Sequence, residues 1–159
     1  MSVRLDEHLK KERIRLDSAA TTREEVLLEL GTLLGGQDVA AREALTDDLA
    51  AREVMGSTGV GGGIAFPHAR VSFLPGIRLA FVRTRQPVPY DALDGRPVDL
   101  FLAVAGPVQG RRDYLVVLGS LSYLFRSELT RDKFRSAATP DEVLALLKEL
   151  SGTVPSPGA

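Results

Sequence analysis

The sequence predicts an α/β fold in which helices cover both faces of a sheet, and three observations support this prediction. Residues Val98–Ala105 are apolar almost without interruption, as in a strand that is buried on both faces. Residues Ile77–Arg83 place large apolar side chains at alternate positions, which is typical of another strand. Segments with apolar residues at helical spacing lie before and after these two strands.

The composition fits one globular domain and narrows its chemistry. The chain has 159 residues, of which 44% are hydrophobic and 26% are charged. A net charge of −1 gives no reason to expect nucleic acid or an anionic membrane as a partner. Because the chain has no cysteine and only two histidines, disulfides and thiolate chemistry are excluded, and we expect no metal site.

The N-terminal segment gives no sign of a targeting signal. Residues Met1–Arg15 carry charges of both signs and contain no apolar run. No segment of the chain approaches the roughly 20 apolar residues that span a bilayer. The sequence therefore predicts a cytoplasmic protein without membrane insertion.

The first two helices have recognisable boundaries. Thr22 and Glu25 form a capping box at the start of the first helix, and Gly35-Gly36 ends it. A second helix is predicted from about Asp38 to Arg52.

Two more helices are predicted in the C-terminal half. One runs from about Arg112 to Phe125, and the last begins at Thr139-Pro140, with Pro140 at its first helical position. Outside the helices and strands, we expect residues 1–12 to form a flexible N-terminal arm and residues 151–159 a disordered tail.

A glycine-rich segment, Gly56–Gly63, leads through Ile64-Ala65-Phe66 to Pro67 and His68. Its glycines allow the backbone to turn several N–H groups toward one point, an arrangement that binds phosphate. A neutral imidazole is a competent nucleophile toward phosphorus, and Pro67 restricts the direction in which His68 leaves the strand. The pattern predicts that His68 accepts a phosphoryl group in a glycine-lined pocket.

Three nearby side chains could hold that group. Arg52 offers a planar, permanently charged guanidinium, and Ser57 or Thr58 could add a hydroxyl donor. Each feature also has a plainer interpretation: Arg52 as a residue that only ends its helix, the glycines as a flexible loop, and His68 as an ordinary surface or core histidine. The segment matches neither the Walker A pattern nor a convincing dinucleotide fingerprint.

The segment from Arg52 to His68, REVMGSTGVGGGIAFPH, closely resembles the signature of the type-2 enzyme IIA domain of the bacterial phosphotransferase system. This family comprises the fructose and mannitol class and its nitrogen-regulatory relatives. The resemblance extends over roughly Arg13–Leu150, and we expect a domain over residues 13–150. It implies a mixed, mostly five-stranded sheet with helices packed on both faces.

The resemblance also implies roles for individual residues. In that family, the histidine after the proline takes phosphate from a small phosphocarrier protein of the HPr type. It then passes the phosphate to a cysteine of a IIB domain or serves as a regulatory mark. By resemblance, His68 would be the phosphoryl acceptor and Arg52 would stabilise the phosphoryl group, with no cofactor besides that covalent group. The loop residues expected to contact the phosphoryl group are Ser57, Thr58, Gly59, Gly61 and Gly63.

One position departs from the family pattern. The family usually has a second histidine near the first, at the start of the helix that follows the Val98 strand, where this chain has Tyr114. A tyrosine hydroxyl can donate a hydrogen bond, but it does not become cationic near pH 7. Tyr114 is either the first member of an apolar stripe or a neighbour of His68 that alters how the phosphoryl group is held.

Three functional hypotheses follow. The first is a phosphoryl carrier of the phosphotransferase system, in a regulatory role or, alternatively, as a IIA component of fructose- or mannitol-type sugar uptake. The second is a regulatory domain that binds target proteins with little or no phosphotransfer. The third and weakest is a hydrolase in which His68 acts as general base with Asp91, Asp94 or Asp99.

Overall fold

A computed structural model describes residues 3–155, in which a short 3-10 helix, Leu5–His8, precedes six strands and five α-helices. The strands are β1 (Leu9–Ser18), β2 (Gly59–Gly61), β3 (Ile64–Ala65), β4 (His68–Val71), β5 (Arg78–Val88) and β6 (Val98–Pro107). The helices are α1 (Arg23–Gly35), α2 (Val39–Val54), α3 (Arg111–Leu124), α4 (Glu128–Ser136) and α5 (Pro140–Ser151).

The strands form one mixed sheet in the order β1-β5-β6-β3-β2, and β4 also pairs with β6. Strands β3 and β4 run parallel to β6, one after the other along the same side, whereas β5 is antiparallel to β6. The predicted α/β class is confirmed, although the sheet has six strands where five were expected. Pro67 has no N–H to donate, so it interrupts the ladder and divides this side into β3 and β4.

The sheet separates two apolar layers. One layer lies between the sheet and the helices α1 and α2, and the other packs against α3, α4, α5 and the 3-10 helix. Strand β6 lies between them, and its residues from Leu100 to Ala105 have no exposed surface. This confirms the prediction of a strand covered on both faces.

The predicted helix starts are confirmed by their caps. The hydroxyl of Thr22 accepts a hydrogen bond from the Glu25 N–H at 3.1 Å, and α1 begins at the next residue after Thr22. The hydroxyl of Thr139 accepts in the same way from the Glu142 N–H at 3.2 Å, with Pro140 at the first helical position. These bonds satisfy amide groups that have no partner inside the helix.

The structure corrects the predicted N-terminal arm. Residues 5–12 form the 3-10 helix and the beginning of β1, and Leu5 and Leu9 are buried. The Leu5 N–H donates to the hydroxyl of Ser151 at 3.1 Å, which ties this segment to the end of α5. The free energy gained by burying the two leucines outweighs the cost of ordering a segment that is otherwise rich in charged residues.

The predicted C-terminal tail is ordered where it begins. Ser151 is fully buried at the end of α5. Val154 is 8% exposed because it packs into the apolar layer beneath α3, α4 and α5. The rest of the predicted tail, residues 156–159, lies outside the described residues.

Candidate functional site

His68 is the first residue of β4 and is half-buried. It pairs with Val104 of β6, whose N–H donates to the Pro67 carbonyl at 2.9 Å. Because β6 is central in the sheet, this pairing fixes the backbone at His68 against the most deeply buried strand. The imidazole therefore leaves a rigid element at a defined point.

Both ring nitrogens of His68 have partners that identify the tautomer. Nδ1 lies 2.8 Å from the carbonyl oxygen of Phe66, which can only accept, so Nδ1 carries the hydrogen. Nε2 accepts a hydrogen bond from Nε of Arg52 at 3.1 Å, so it carries a lone pair. The ring is thus neutral, and Nε2 is its nucleophilic nitrogen.

The surroundings of His68 favour this neutral form. Burial lowers the pKa of His68 below its usual value, and the nearby charge of Arg52 lowers it further. The Phe66 carbonyl and the charge of Glu53 oppose these effects without reversing them. Near pH 7 the ring is therefore neutral, and Nε2 carries a lone pair rather than a proton.

Arg52 lies in the last turn of α2 and makes two contacts with its guanidinium. Nε binds His68, and Nη1 donates to the carbonyl oxygen of Gly56 at 2.9 Å, just after the helix. The structure thus brings Arg52 and His68 together, as the sequence predicted. It also shows that Arg52 helps to terminate its helix through the Gly56 carbonyl, and its role toward a phosphoryl group stays a prediction.

Glu53, the next residue along α2, is 4% exposed and was not singled out from the sequence. Its carboxylate accepts from the Thr58 N–H at 3.0 Å, from the Tyr90 hydroxyl at 2.9 Å and from the Thr58 hydroxyl. This network fixes the start of the glycine segment to the helix that carries Arg52. Burial and the charge of Glu53 raise the pKa of Tyr90, so that its hydroxyl stays a donor.

The hydroxyls of Ser57 and Thr58 form hydrogen bonds with neighbouring protein groups. Ser57 donates to the Tyr90 carbonyl at 3.0 Å and accepts from the Gly59 N–H at 3.0 Å. Thr58 uses its own hydroxyl on Glu53. These bonds hold the loop itself, and the phosphoryl contacts of Ser57, Thr58 and Gly59 stay a prediction.

The glycine turn lies away from His68. Ile64 pairs with Leu100, whereas His68 pairs with Val104, which separates the turn from the imidazole by about 13 Å along the strand. The Gly62 N–H donates to the Asp94 carboxylate at 2.9 Å, and its carbonyl accepts from Arg135 at 2.9 Å.

The prediction that Gly61 and Gly63 line a phosphoryl pocket is therefore wrong in this geometry. Their φ angles of 101° and 83° show what the glycines do instead, because such values form a tight hairpin between β2 and β3 that other residues rarely allow.

The carboxylates of the hydrolase hypothesis are also elsewhere. Asp94 and Asp99 lie at the glycine turn, where Asp99 pairs with Arg135 at 2.9 Å. Asp91 is exposed and pairs with Arg23 at 3.6 Å. None of the three forms a hydrogen bond to His68 among residues 3–155, so the structure gives this hypothesis no support.

Tyr114, in the first turn of α3, lies beside His68. The ring centroids are 6.2 Å apart with an interplanar angle of 62°, and Tyr114 is 4% exposed. Burial raises the pKa of Tyr114 to about 12, although the charges of Arg70 and Arg52 partly oppose this. Its hydroxyl therefore remains protonated across the physiological range.

Within residues 3–155, no group of three or more histidine, aspartate or glutamate side chains is arranged to hold a metal ion. In the same part of the chain, no helix is both long and apolar enough to cross a membrane.

Comparison with known proteins gives a consistent result. The family described as "Phosphoenolpyruvate-dependent sugar phosphotransferase system, EIIA 2" matches residues 7–150. A nitrogen regulatory protein of Pseudomonas aeruginosa is 31% identical over 150 residues, which cover 93% of this chain and 97% of that protein. A fructose-specific EIIA component of Haloferax volcanii is 34% identical over 142 residues, covering 87% and 91% of the two chains.

The fold agrees with these sequence matches. The crystal structure of the nitrogen regulatory protein IIA-Ntr from Neisseria meningitidis superimposes with a TM-score of 0.85 at 34% identity. The match covers 90% of this chain and 98% of that one.

Proposed function

The chain belongs to the EIIA type-2 family of the phosphoenolpyruvate-dependent sugar phosphotransferase system, and we propose that it serves there as a phosphoryl carrier with His68 as its acceptor. The family resemblance inferred from the sequence is thereby confirmed. The observation that carries the proposal is the state of the His68 ring. Its Nδ1–H is bound to the Phe66 carbonyl, and its Nε2 lone pair faces a guanidinium.

The transfer needs one bond to form and one to break. The Nε2 lone pair of His68 attacks the phosphorus of a phosphohistidine on a donor protein of the HPr type. As the new N–P bond forms, the N–P bond of the donor breaks, and its electron pair returns to the donor ring. The donor ring, protonated at its other nitrogen, leaves as a neutral imidazole, and the positive charge passes to the ring of His68. Nδ1 of His68 keeps its hydrogen, and the cycle needs no cofactor besides the phosphoryl group.

Arg52 has a different position before and after transfer. Its Nε–H occupies the Nε2 lone pair in the unphosphorylated protein, so this hydrogen bond must break before attack. The released guanidinium is then next to the incoming phosphoryl oxygens, which are the partners a planar, charged fork binds best. Its second bond, to the Gly56 carbonyl, keeps the side chain near the site during the exchange.

The surface beside this site suits a protein partner. Val54 and Met55 lie two and three residues after Arg52, at the end of α2, and are 87% and 83% exposed. Exposed apolar side chains next to a reactive group favour docking of another protein. We infer that the phosphocarrier docks here and that transfer takes place in the cytoplasm.

A regulatory role is the version we favour. Tyr114 replaces the second histidine expected of the family, and a nitrogen regulatory protein matches over nearly its whole length. The match to a fructose-specific EIIA component supports the alternative, in which His68 passes phosphate to a cysteine of a IIB domain. Incubating the phosphorylated protein with such a IIB domain separates the two, because only the sugar-uptake version predicts rapid loss of label from His68. A domain that binds targets without phosphotransfer would give no label at all.

Labelling tests the proposal directly. With phosphoenolpyruvate, enzyme I and a phosphocarrier of the HPr type, we expect an acid-labile, base-stable adduct on the wild-type protein. His68→Ala should abolish the label because it removes the proposed nucleophile. His8→Ala is the matched control, because it removes the only other histidine and should leave labelling unchanged. Full labelling of His68→Ala would overturn the proposal.

A further inference from the structure

Arg70 lies two residues after His68 on the same face of β4 and contacts Tyr114. Its guanidinium carbon is 5.6 Å from the centre of the Tyr114 ring, within the range of a cation–π interaction. Nη2 of Arg70 also donates to the carbonyl oxygen of Val108, in the connection between β6 and α3. Arg70 therefore links the strand that carries His68 to the start of the helix that carries Tyr114.

This placement leaves one donor of Arg70 without an acceptor. Nε of Arg70 is buried and has no hydrogen-bond partner among residues 3–155. A buried polar group of this kind destabilises a folded protein, and its presence calls for an explanation. The contact with Tyr114 is maintained although it leaves this donor unsatisfied.

Tyr114 has an unused donor as well. Within the described residues its hydroxyl forms no hydrogen bond, while its ring packs against the backbone of Gly106 on β6. The contact with Arg70 on β4 and the packing on Gly106 hold the ring of Tyr114 with its centroid 6.2 Å from that of His68. An uncharged donor is thus held beside the imidazole.

Building on the proposed function, we propose that Tyr114 donates its O–H to an oxygen of the phosphoryl group on His68 and that Arg70 is the positioning residue for Tyr114. Arg52 then binds the phosphoryl group from one side and Tyr114 from another. Arg70 acts through the ring of Tyr114 and through the Val108 carbonyl, which fixes where α3 begins. This pair would take the place of the second histidine of the family with a donor that does not titrate near pH 7.

The test compares rates of phosphoryl transfer to Tyr114→Phe, Arg70→Gln and the double variant. Tyr114→Phe keeps the ring and removes only the hydroxyl, so the limiting rate should fall at least about tenfold, as for loss of a hydrogen bond to a charged group. The carrier concentration that gives half the limiting rate should stay unchanged. Arg70→Gln should slow transfer similarly and have little further effect in the double variant, because both changes remove the same hydrogen bond.

The chain offers a matched control on the same helix. Tyr123 on α3 stacks with Arg126 at 5.1 Å, which reproduces the arginine–tyrosine contact away from His68. Tyr123→Phe and Arg126→Gln should leave the rate unchanged, and thermal unfolding should show that all variants are folded.

Three results would count against the proposal. A wild-type rate for Tyr114→Phe would exclude the hydroxyl as a donor to the phosphoryl group. Full additivity of the Arg70 and Tyr114 effects would exclude the positioning role of Arg70. Absence of label on the wild-type protein would overturn the proposed function and this inference together. The first two results, obtained with a labelled wild-type protein, would overturn this inference alone.

Discussion

Arg52→Ala is expected to lower the rate of phosphoryl transfer to His68 by about 100-fold. This is the usual effect of removing one fixed hydrogen-bond donor that stabilises the charge developing in a transition state. The structure gives the reason, because Arg52 is the cation that contacts Nε2. Removing this charge should also raise the pKa of His68, since Arg52 acts to lower it. The transfer rate and the titration of the His68 ring by NMR measure the two effects separately.

Two other variants show whether the effect belongs to the guanidinium. Arg52→Lys keeps the charge but not the planar fork, so its rate should lie between those of the wild type and Arg52→Ala. Arg42→Ala, on the same helix, removes a surface bond to the Gly36 carbonyl and should leave the rate unchanged. A wild-type rate in Arg52→Ala would show that Arg52 only terminates its helix.

Glu53→Ala is expected to destabilise the fold by about 3 kcal/mol, because three buried donors lose the carboxylate that they bind. These are the Thr58 N–H at 3.0 Å, the Tyr90 hydroxyl at 2.9 Å and the Thr58 hydroxyl. Urea unfolding measures this change in the free energy of unfolding. The same variant should slow phosphoryl transfer, because the network ties the glycine segment to the helix that carries Arg52.

A second glutamate on the same helix provides the control for this prediction. Glu43 is exposed, and Glu43→Ala should change the free energy of unfolding by less than about 0.5 kcal/mol. Tyr90→Phe combined with Glu53→Ala should cost less than the sum of the two single changes, because both remove the same bond. Equal stabilities of Glu53→Ala and Glu43→Ala would contradict the account of this network.

The sequence was sufficient for the elements with strong local signals. The caps at Thr22 and Thr139 and the apolar run of β6 appear in the structure where they were predicted, because each is determined by adjacent residues. Strand β1 was missed because its residues are mostly charged and exposed, and its pairing with β5 contains register shifts that disturb the alternation. Helix α4 was missed because only two of its residues, Thr130 and Phe134, are buried.

The site was predicted only in part, because several of its contacts join residues that are distant in sequence. The contact between Arg52 and His68 and the nearness of Tyr114 agree with the resemblance, which carries information about residues that are distant in sequence. The glycine turn was misplaced because its distance from His68 depends on the register of β3 and β4 along β6. The burial of Glu53 depends on Tyr90, 37 residues away, and no local pattern reveals that contact.

In the proposed function, a neutral His68 accepts the phosphoryl group at Nε2. NMR of the protein with ¹⁵N-labelled histidine, before and after phosphorylation, tests it directly. Before phosphorylation, we expect the Nδ1–H tautomer at pH 7, as its bond to the Phe66 carbonyl indicates. Afterwards, a one-bond ¹⁵N–³¹P coupling should appear at Nε2 of His68. Coupling at Nδ1 or at His8, or no coupling despite stable labelling, would contradict the account.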